Sequence, residues 1–203
     1  MRYVVQHTEL VEGTVEARAY QLEAVDEALT GSMLLVLPTA AGKTAVSWML
    51  IAEILQKKLG WILFIAPTGA LVDQHTKDLN RVIKNYQAIS ITGVNEPKKR
   101  KKLWKTSRLI VATPQVVRND VLSGSLSLNK CSLLILDEAH HSTGKHAMVQ
   151  SAEMYNSASE SKLLFGTTAS PGSNSVVINE ICKRLEIERI HIRKAEEPML
   201  RDY

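Results

Sequence analysis

Met33-Leu34-Leu35-Val36-Leu37-Pro38-Thr39-Ala40-Ala41-Gly42-Lys43-Thr44 decides how this chain is read. The five apolar residues predict a short buried strand, 38–44 a tight loop of small residues, and the segment from Ala45 an amphipathic helix. That order turns backbone N–H groups and the positive end of a helix toward an anion. Pro38, Thr39, Ala40, Ala41, Gly42, Lys43 and Thr44 are therefore read as a phosphate-cradling loop. Lys43 would reach the β- and γ-phosphates of a nucleotide, and the Thr44 hydroxyl would ligate Mg2+. The full pattern G-x-x-x-x-G-K-[ST] would place its first glycine at position 37, where Leu37 stands. Gly42-Lys43-Thr44 keeps the close approach, the charge and the metal ligand.

Upstream, residues 3–11 read as a short strand or an extended lead-in. Thr14 offers an N-cap for a helix to about Leu29, with Tyr20, Ala24, Val25, Ala28 and Leu29 as its apolar stripe. Downstream, strands are expected at 61–66, 88–91, 109–112, 133–136, 163–166 and 187–192. Helices are expected between them, at 45–58, 70–84, 97–104, 115–122, 146–156 and 173–185. Continuous apolar strands alternating with helices predict an α/β fold: a mostly parallel sheet with helices on both faces. No linker rich in Gly, Ser or Pro divides residues 1–203, which are read as one domain.

The net charge of +4 and a sequence pI near 9.0 permit an anionic partner without demonstrating one. Cys131 and Cys182 are read as reduced core thiols. The longest apolar runs fall short of the roughly 18 residues a membrane span needs. The N-terminus turns polar at Gln6, unlike a signal peptide. A cytoplasmic protein without membrane attachment is the expectation.

The polar clusters Pro38–Thr44, Pro67-Thr68, Thr92-Gly93, Thr113-Pro114, Asp137–His140 and Thr168–Ser170 each follow an expected strand. In a parallel sheet those strand ends share one edge, where ligands bind. Turns carry Pro, Thr and Gly in any fold, but turn chemistry does not explain acid, base and phosphate loop together. Asp137-Glu138 closes a four-residue aliphatic run, where adjacent carboxylates are costly unless a cation or donors meet them. Asp137 can hold Mg2+, and Glu138 can orient and deprotonate an attacking water. His75, His140, His141 and His146 are not read as a metal centre, because no cysteine cluster or second carboxylate stands at ligand spacing.

In order, PTAAGKT, APTGALVDQH, ATPQVV, DEAH and TTASPG resemble motifs I, Ia, Ic, II and III of superfamily 2 helicases. RAYQ at 18–21, the stretch 101–124 and the ending 193–203 resemble archaeal Hef and the Fanconi-anaemia M-type translocases. The resemblance covers nearly the whole chain and implies the first RecA-like domain of such a motor, a P-loop NTPase using ATP and Mg2+. It implies that Gln21, with Arg18 and Tyr20, reads the adenine edge. Pro67, Thr68, Thr92, Gly93, Thr113 and Pro114 would hold nucleic-acid phosphates without reading sequence. Thr168, Ala169 and Ser170 would relay the γ-phosphate state, with His140 as partner. Ala40 departs from a usual glycine and His141 from a frequent arginine.

Lys98-Lys99-Arg100-Lys101-Lys102, with Lys105, is the most basic stretch. It reads as a solvated helix surface, with a non-specific phosphate contact as the alternative. Trp104 reads as a core residue. The chain reaches Tyr203 without an arginine finger or a second RecA-like half, so weak ATP binding and slow hydrolysis are expected of it. Three functions stay open: a Hef-like motor on branched or forked DNA, the same fold working on RNA, and an ATP-switched nucleic-acid-binding module without motor activity.

Overall fold

The computed structural model describes residues 2–57, 59–141, 146–169 and 175–193. Seven strands form one parallel sheet: β3 (Met33–Leu37), β4 (Trp61–Ile65), β5 (Ala88–Ile91), β6 (Leu109–Ala112), β7 (Cys131–Leu136), β8 (Leu164–Ala169) and β9 (Arg189–Ile192). Their order across the sheet is β5-β6-β4-β7-β8-β3-β9, every pairing parallel. Strands β3, β4, β6 and β7 are buried along their whole length, because helices cover both faces.

Alternate strand residues divide the core into two layers. Met33, Leu35, Ile62, Phe64, Val111 and Ile135 pack beneath α1 (Ala19–Leu29), α2 (Lys43–Gln56) and α3 (Gly69–Val82). Leu34, Val36, Leu63, Ile110 and Leu134 face α4 (Pro97–Thr106), α5 (Pro114–Leu122), α6 (Ala147–Ala158) and α7 (Ser175–Leu185). Period-two alternation thus feeds both layers from one apolar strand. Trp104 lies in the second layer, 5% exposed, its ring 6.2 Å from that of Trp61.

Of the boundaries that differ from the sequence reading, three change the architecture. The first helix begins at Ala19, not Thr14. Residues 16–17 form β2 (Glu16–Ala17) and pair antiparallel with β1 (Tyr3–Val4), and Val5 N–H donates to the Val15 carbonyl at 2.9 Å. Pairing satisfies a backbone that a helical turn would otherwise have served. Helix α3 stops at Val82, because Ile83 turns extended and bridges Leu10. Strand β8 runs on past Gly166 through Thr167, Thr168 and Ala169, which pair with Leu35, Val36 and Leu37. Pairing with β3, which continues after the last β7 partner at Gly166, extends the ladder over polar residues that hydrophobicity alone would leave in a loop. Ser173, where the last helix is expected to begin, lies outside the described residues.

Candidate active site

The loop between β3 and α2 is held from behind by α1. Gly42 stands at φ 82°, and a Cβ there would come 2.1 Å from Gln21 Nε2. Glycine is thus required both by conformation and by the close approach of Gln21. Gln21 Nε2 donates to the Gly42 carbonyl at 3.0 Å, while Gln21 Oε1 accepts from the Arg18 N–H at 2.7 Å. Tyr20, 1% exposed, donates its hydroxyl to the Ala41 carbonyl at 2.8 Å. Tyr20 is buried in the first core layer, and that bond ties its ring edge to the loop. Beside it a cleft of about 180 Å3 opens between Arg18, Gln21, Ala40, Gly42 and Ala45.

Thr39 and Ala40 are exposed and Pro38 is half-buried. Ala40 is left-handed at φ 65°. Lys43 and Thr44 open α2, so their N–H groups have no partner within the helix and point to its start. Lys43 Nζ rests on the carbonyls of Leu37 at 3.3 Å and Pro38 at 3.4 Å. Burial pushes this ammonium below its ordinary pKa, against the opposing pull of the Glu138 and Asp137 carboxylates. That pull places both acids within electrostatic reach of the lysine.

Asp137 follows β7. Its Oδ2 lies 2.8 Å from His75 Nε2, and its Oδ1 accepts from the Thr167 hydroxyl at 2.9 Å. Burial works against ionisation, yet the His75 and Thr167 bonds and the Glu138 backbone N–H hold the carboxyl below the ordinary value. His75 comes from the second turn of α3, its ring 4.5 Å from Phe64. The sequence reading pairs neither His75 nor Thr167 with Asp137. The histidine in the segment after Pro67-Thr68 is a signal that helical spacing could have supplied.

Glu138 turns the chain at φ 52° into a short 310 turn, Ala139–His141. This turn packs on β8 at Gly166, where a Cβ would come 3.0 Å from Leu34 Cδ1 and 3.4 Å from Ala139 Cβ. His140 Nδ1 sits 3.2 Å from Glu138 Oε2 and 3.1 Å from the Thr168 hydroxyl. Ala169 ends β8, and Ser170 lies outside the described residues.

Pro67-Thr68, Thr92-Gly93 and Thr113-Pro114 follow β4, β5 and β6. The Thr68 hydroxyl caps α3 by accepting from Leu71 N–H at 3.3 Å, and Thr113 is the N-cap residue of α5. Strand order therefore splits the sheet's C-terminal edge in two. The acidic pair and the phosphate loop follow β7 and β3, with Thr168 near the end of β8 between them, and the other loops follow β5-β6-β4. His75–Asp137 joins the halves where β4 meets β7.

A glycine-lysine-threonine loop facing an acidic pair across a parallel sheet defines the P-loop nucleotide-binding class. Within that class the chain belongs to the DEAD/DEAH box helicase family, whose model matches residues 18–176. A Methanocaldococcus jannaschii protein named as an ATP-dependent RNA helicase is 39% identical over 98% of this chain and 25% of its own length. The ATP-dependent DNA helicase mph1 of Sclerotinia sclerotiorum is 32% identical over 92% of this chain and 15% of its own length. The crystal structure of the Pyrococcus furiosus Hef helicase domain superposes with a TM-score of 0.85 at 37% identity, covering 91% of this chain and 40% of that one. The fold is RecA-like, and the chain spans a quarter or less of the length of these two helicases. No described helix is long and apolar enough to cross a membrane.

Proposed function

We propose that residues 1–203 form the first RecA-like domain of an ATP-dependent helicase or translocase acting on branched or forked DNA in the cytoplasm, its cleft completed by a second RecA-like domain. The observation that carries this reading is the divided edge: nucleotide groups on β7-β8-β3, strand-facing loops on β5-β6-β4, and His75–Asp137 across the seam.

The donor set fits a nucleotide with its magnesium ion. Among the described residues Lys43 holds only carbonyls at the loop, and both Asp137 carboxylate oxygens are oriented by hydrogen bonds. Thr44 and Asp137 would hold Mg2+, which when bound neutralises charge on the phosphate oxygens. Lys43 and the N–H groups at the start of α2 bind the β- and γ-phosphates. Glu138 orients water for in-line attack on the γ-phosphorus and takes its proton as the P–O bond to the β-phosphate breaks. Arg18 and Gln21 line the cleft assigned to adenine. His140 exchanges its hydrogen bond between Glu138 and Thr168, carrying the state of the site to β8 and on to Ala169 and Ser170. Pro67, Thr68, Thr92, Gly93, Thr113 and Pro114 hold strand phosphates.

DNA is favoured by the DNA helicases named among the relatives. An RNA substrate is the second reading, favoured by the name of the 39% identical relative. The test is stimulation of ATPase activity of the full-length protein by matched DNA and RNA duplexes and forks. Greater stimulation by forked DNA is expected. Stimulation by RNA alone reverses the substrate, and absence of both strand separation and translocation overturns the motor.

A further inference from the structure

Helix α4 carries five lysines, yet they are not scattered around it. At 100° per residue, Lys98, Lys101, Lys102 and Lys105 fall at i, i+3, i+4 and i+7 and share one stripe about 100° wide. Arg100 and Trp104 occupy the opposite face. The four stripe lysines and Lys99 are all exposed, and none has an ion-pair partner among the described residues. The whole chain has a net charge of +4, less than the charge of these five lysines, so the rest of the molecule is close to neutral.

The inner face fixes how that stripe is presented. Arg100 makes two parallel bonds to Asp120 of α5, Nε to Oδ2 and Nη2 to Oδ1, both at 2.8 Å. Trp104 Nε1 adds a third at 2.7 Å, and Asp120 is 4% exposed. Arg100 Nη1 also donates to the Asn95 carbonyl at 2.6 Å, and Asn95 Oδ1 accepts from Thr92 N–H at 2.8 Å. One buried carboxylate thus ties α4 to α5 and to the turn carrying Thr92-Gly93. Pro97 starts α4 directly after that turn, on the β5-β6-β4 half of the edge.

We propose that the outer lysine stripe of α4 is a docking surface for the phosphodiester backbone of nucleic acid, extending the track of the Thr92 and Thr113 loops beyond the sheet edge. This rests on the strand-binding reading above. A row of exposed cations without ion-pair partners among the described residues, on a helix that starts directly after the Thr92-Gly93 turn, complements a polyanion and carries no base-reading chemistry, so the contact is independent of sequence.

The test titrates the chain with fluorescent forked DNA by anisotropy, from about 50 to about 200 mM salt, comparing wild type with K98Q/K101Q/K102Q/K105Q. These exposed changes leave Arg100, Trp104 and Asp120 in place. Expected are a loss of affinity of about tenfold at 100 mM salt and a log–log salt slope shallower by about 2 to 4, near one for each phosphate no longer neutralised. ATP affinity stays unchanged, and the matching lysine-to-arginine variant restores affinity and slope. A wild-type slope in the glutamine variant overturns the proposal. If Thr113→Ala still weakens binding in that case, the helicase reading survives. If wild type binds ATP but no nucleic acid, both readings fall. Loss of binding to anionic lipid vesicles with an unchanged DNA slope overturns the proposal and assigns the stripe to a membrane surface.

Discussion

Ala40 holds a left-handed backbone at φ 65°, a conformation that costs an alanine about 1 kcal/mol and a glycine almost nothing. The expected result for Ala40→Gly is a gain of up to about 1 kcal/mol in chemical denaturation, with nucleotide binding retained. At Gly42 the same logic runs in reverse. Gly42→Ala drives a Cβ into Gln21 Nε2 and should abolish nucleotide binding by displacing the loop. Gln21 itself separates two roles. If it only buttresses the loop, Gln21→Ala weakens ATP and GTP equally; if it also reads adenine, the preference for ATP disappears. Competition binding with the two nucleotides distinguishes them. The hydrogen-bond geometry explains why sequence could name Gln21 but not foresee its bond to the Gly42 carbonyl, 21 residues away.

Between elements, two contacts carry predictions. His75 joins α3 to the end of β7, and its removal leaves the Asp137 Oδ2 without that partner. Loss of a residue that orients a metal-binding carboxylate typically costs about 10–100-fold. His75→Ala should therefore raise the Mg2+ concentration needed for half-maximal ATPase of the full-length protein by that factor, with ATP preference unchanged. The Arg100–Asp120–Trp104 brace is structural. Asp120→Ala strands a largely buried guanidinium and should destabilise the chain by about 3–5 kcal/mol. Burial opposes the ionised form of Asp120, but bonds from Arg100 and Trp104 bring its pKa below the ordinary 3.8. The folded chain therefore holds this proton more weakly than the unfolded one. The resulting stability is complete above pH 3.8 and is lost as pH falls through the lowered folded value. Asp120→Asn should lack this acid limb in denaturation curves measured against pH.

Across the whole molecule, the alternation of apolar strands with helices made the sheet legible, because both faces of a parallel sheet demand it. The clusters after each strand were legible for the same reason. Strand order was not, since it depends on which helices cross over, and with it went the division of the edge into a β7-β8-β3 half and a β5-β6-β4 half. Thr167 was hidden because β8 continues through polar residues that pair with β3 alone, beyond the last β7 partner at Gly166. The α4 stripe was partly legible: six cations cannot share one helical face, but four do once Arg100 is turned inward onto Asp120.

The central claim is that one sheet edge gathers Lys43, Thr44, Asp137 and Glu138 around the tail of a triphosphate. Calorimetric titration of the chain with ATP and Mg2+ tests it most directly, comparing wild type with Lys43→Ala and Glu138→Gln. Expected is Mg2+-dependent binding that Lys43→Ala abolishes and Glu138→Gln retains. Binding by Lys43→Ala as tight as wild type would contradict it.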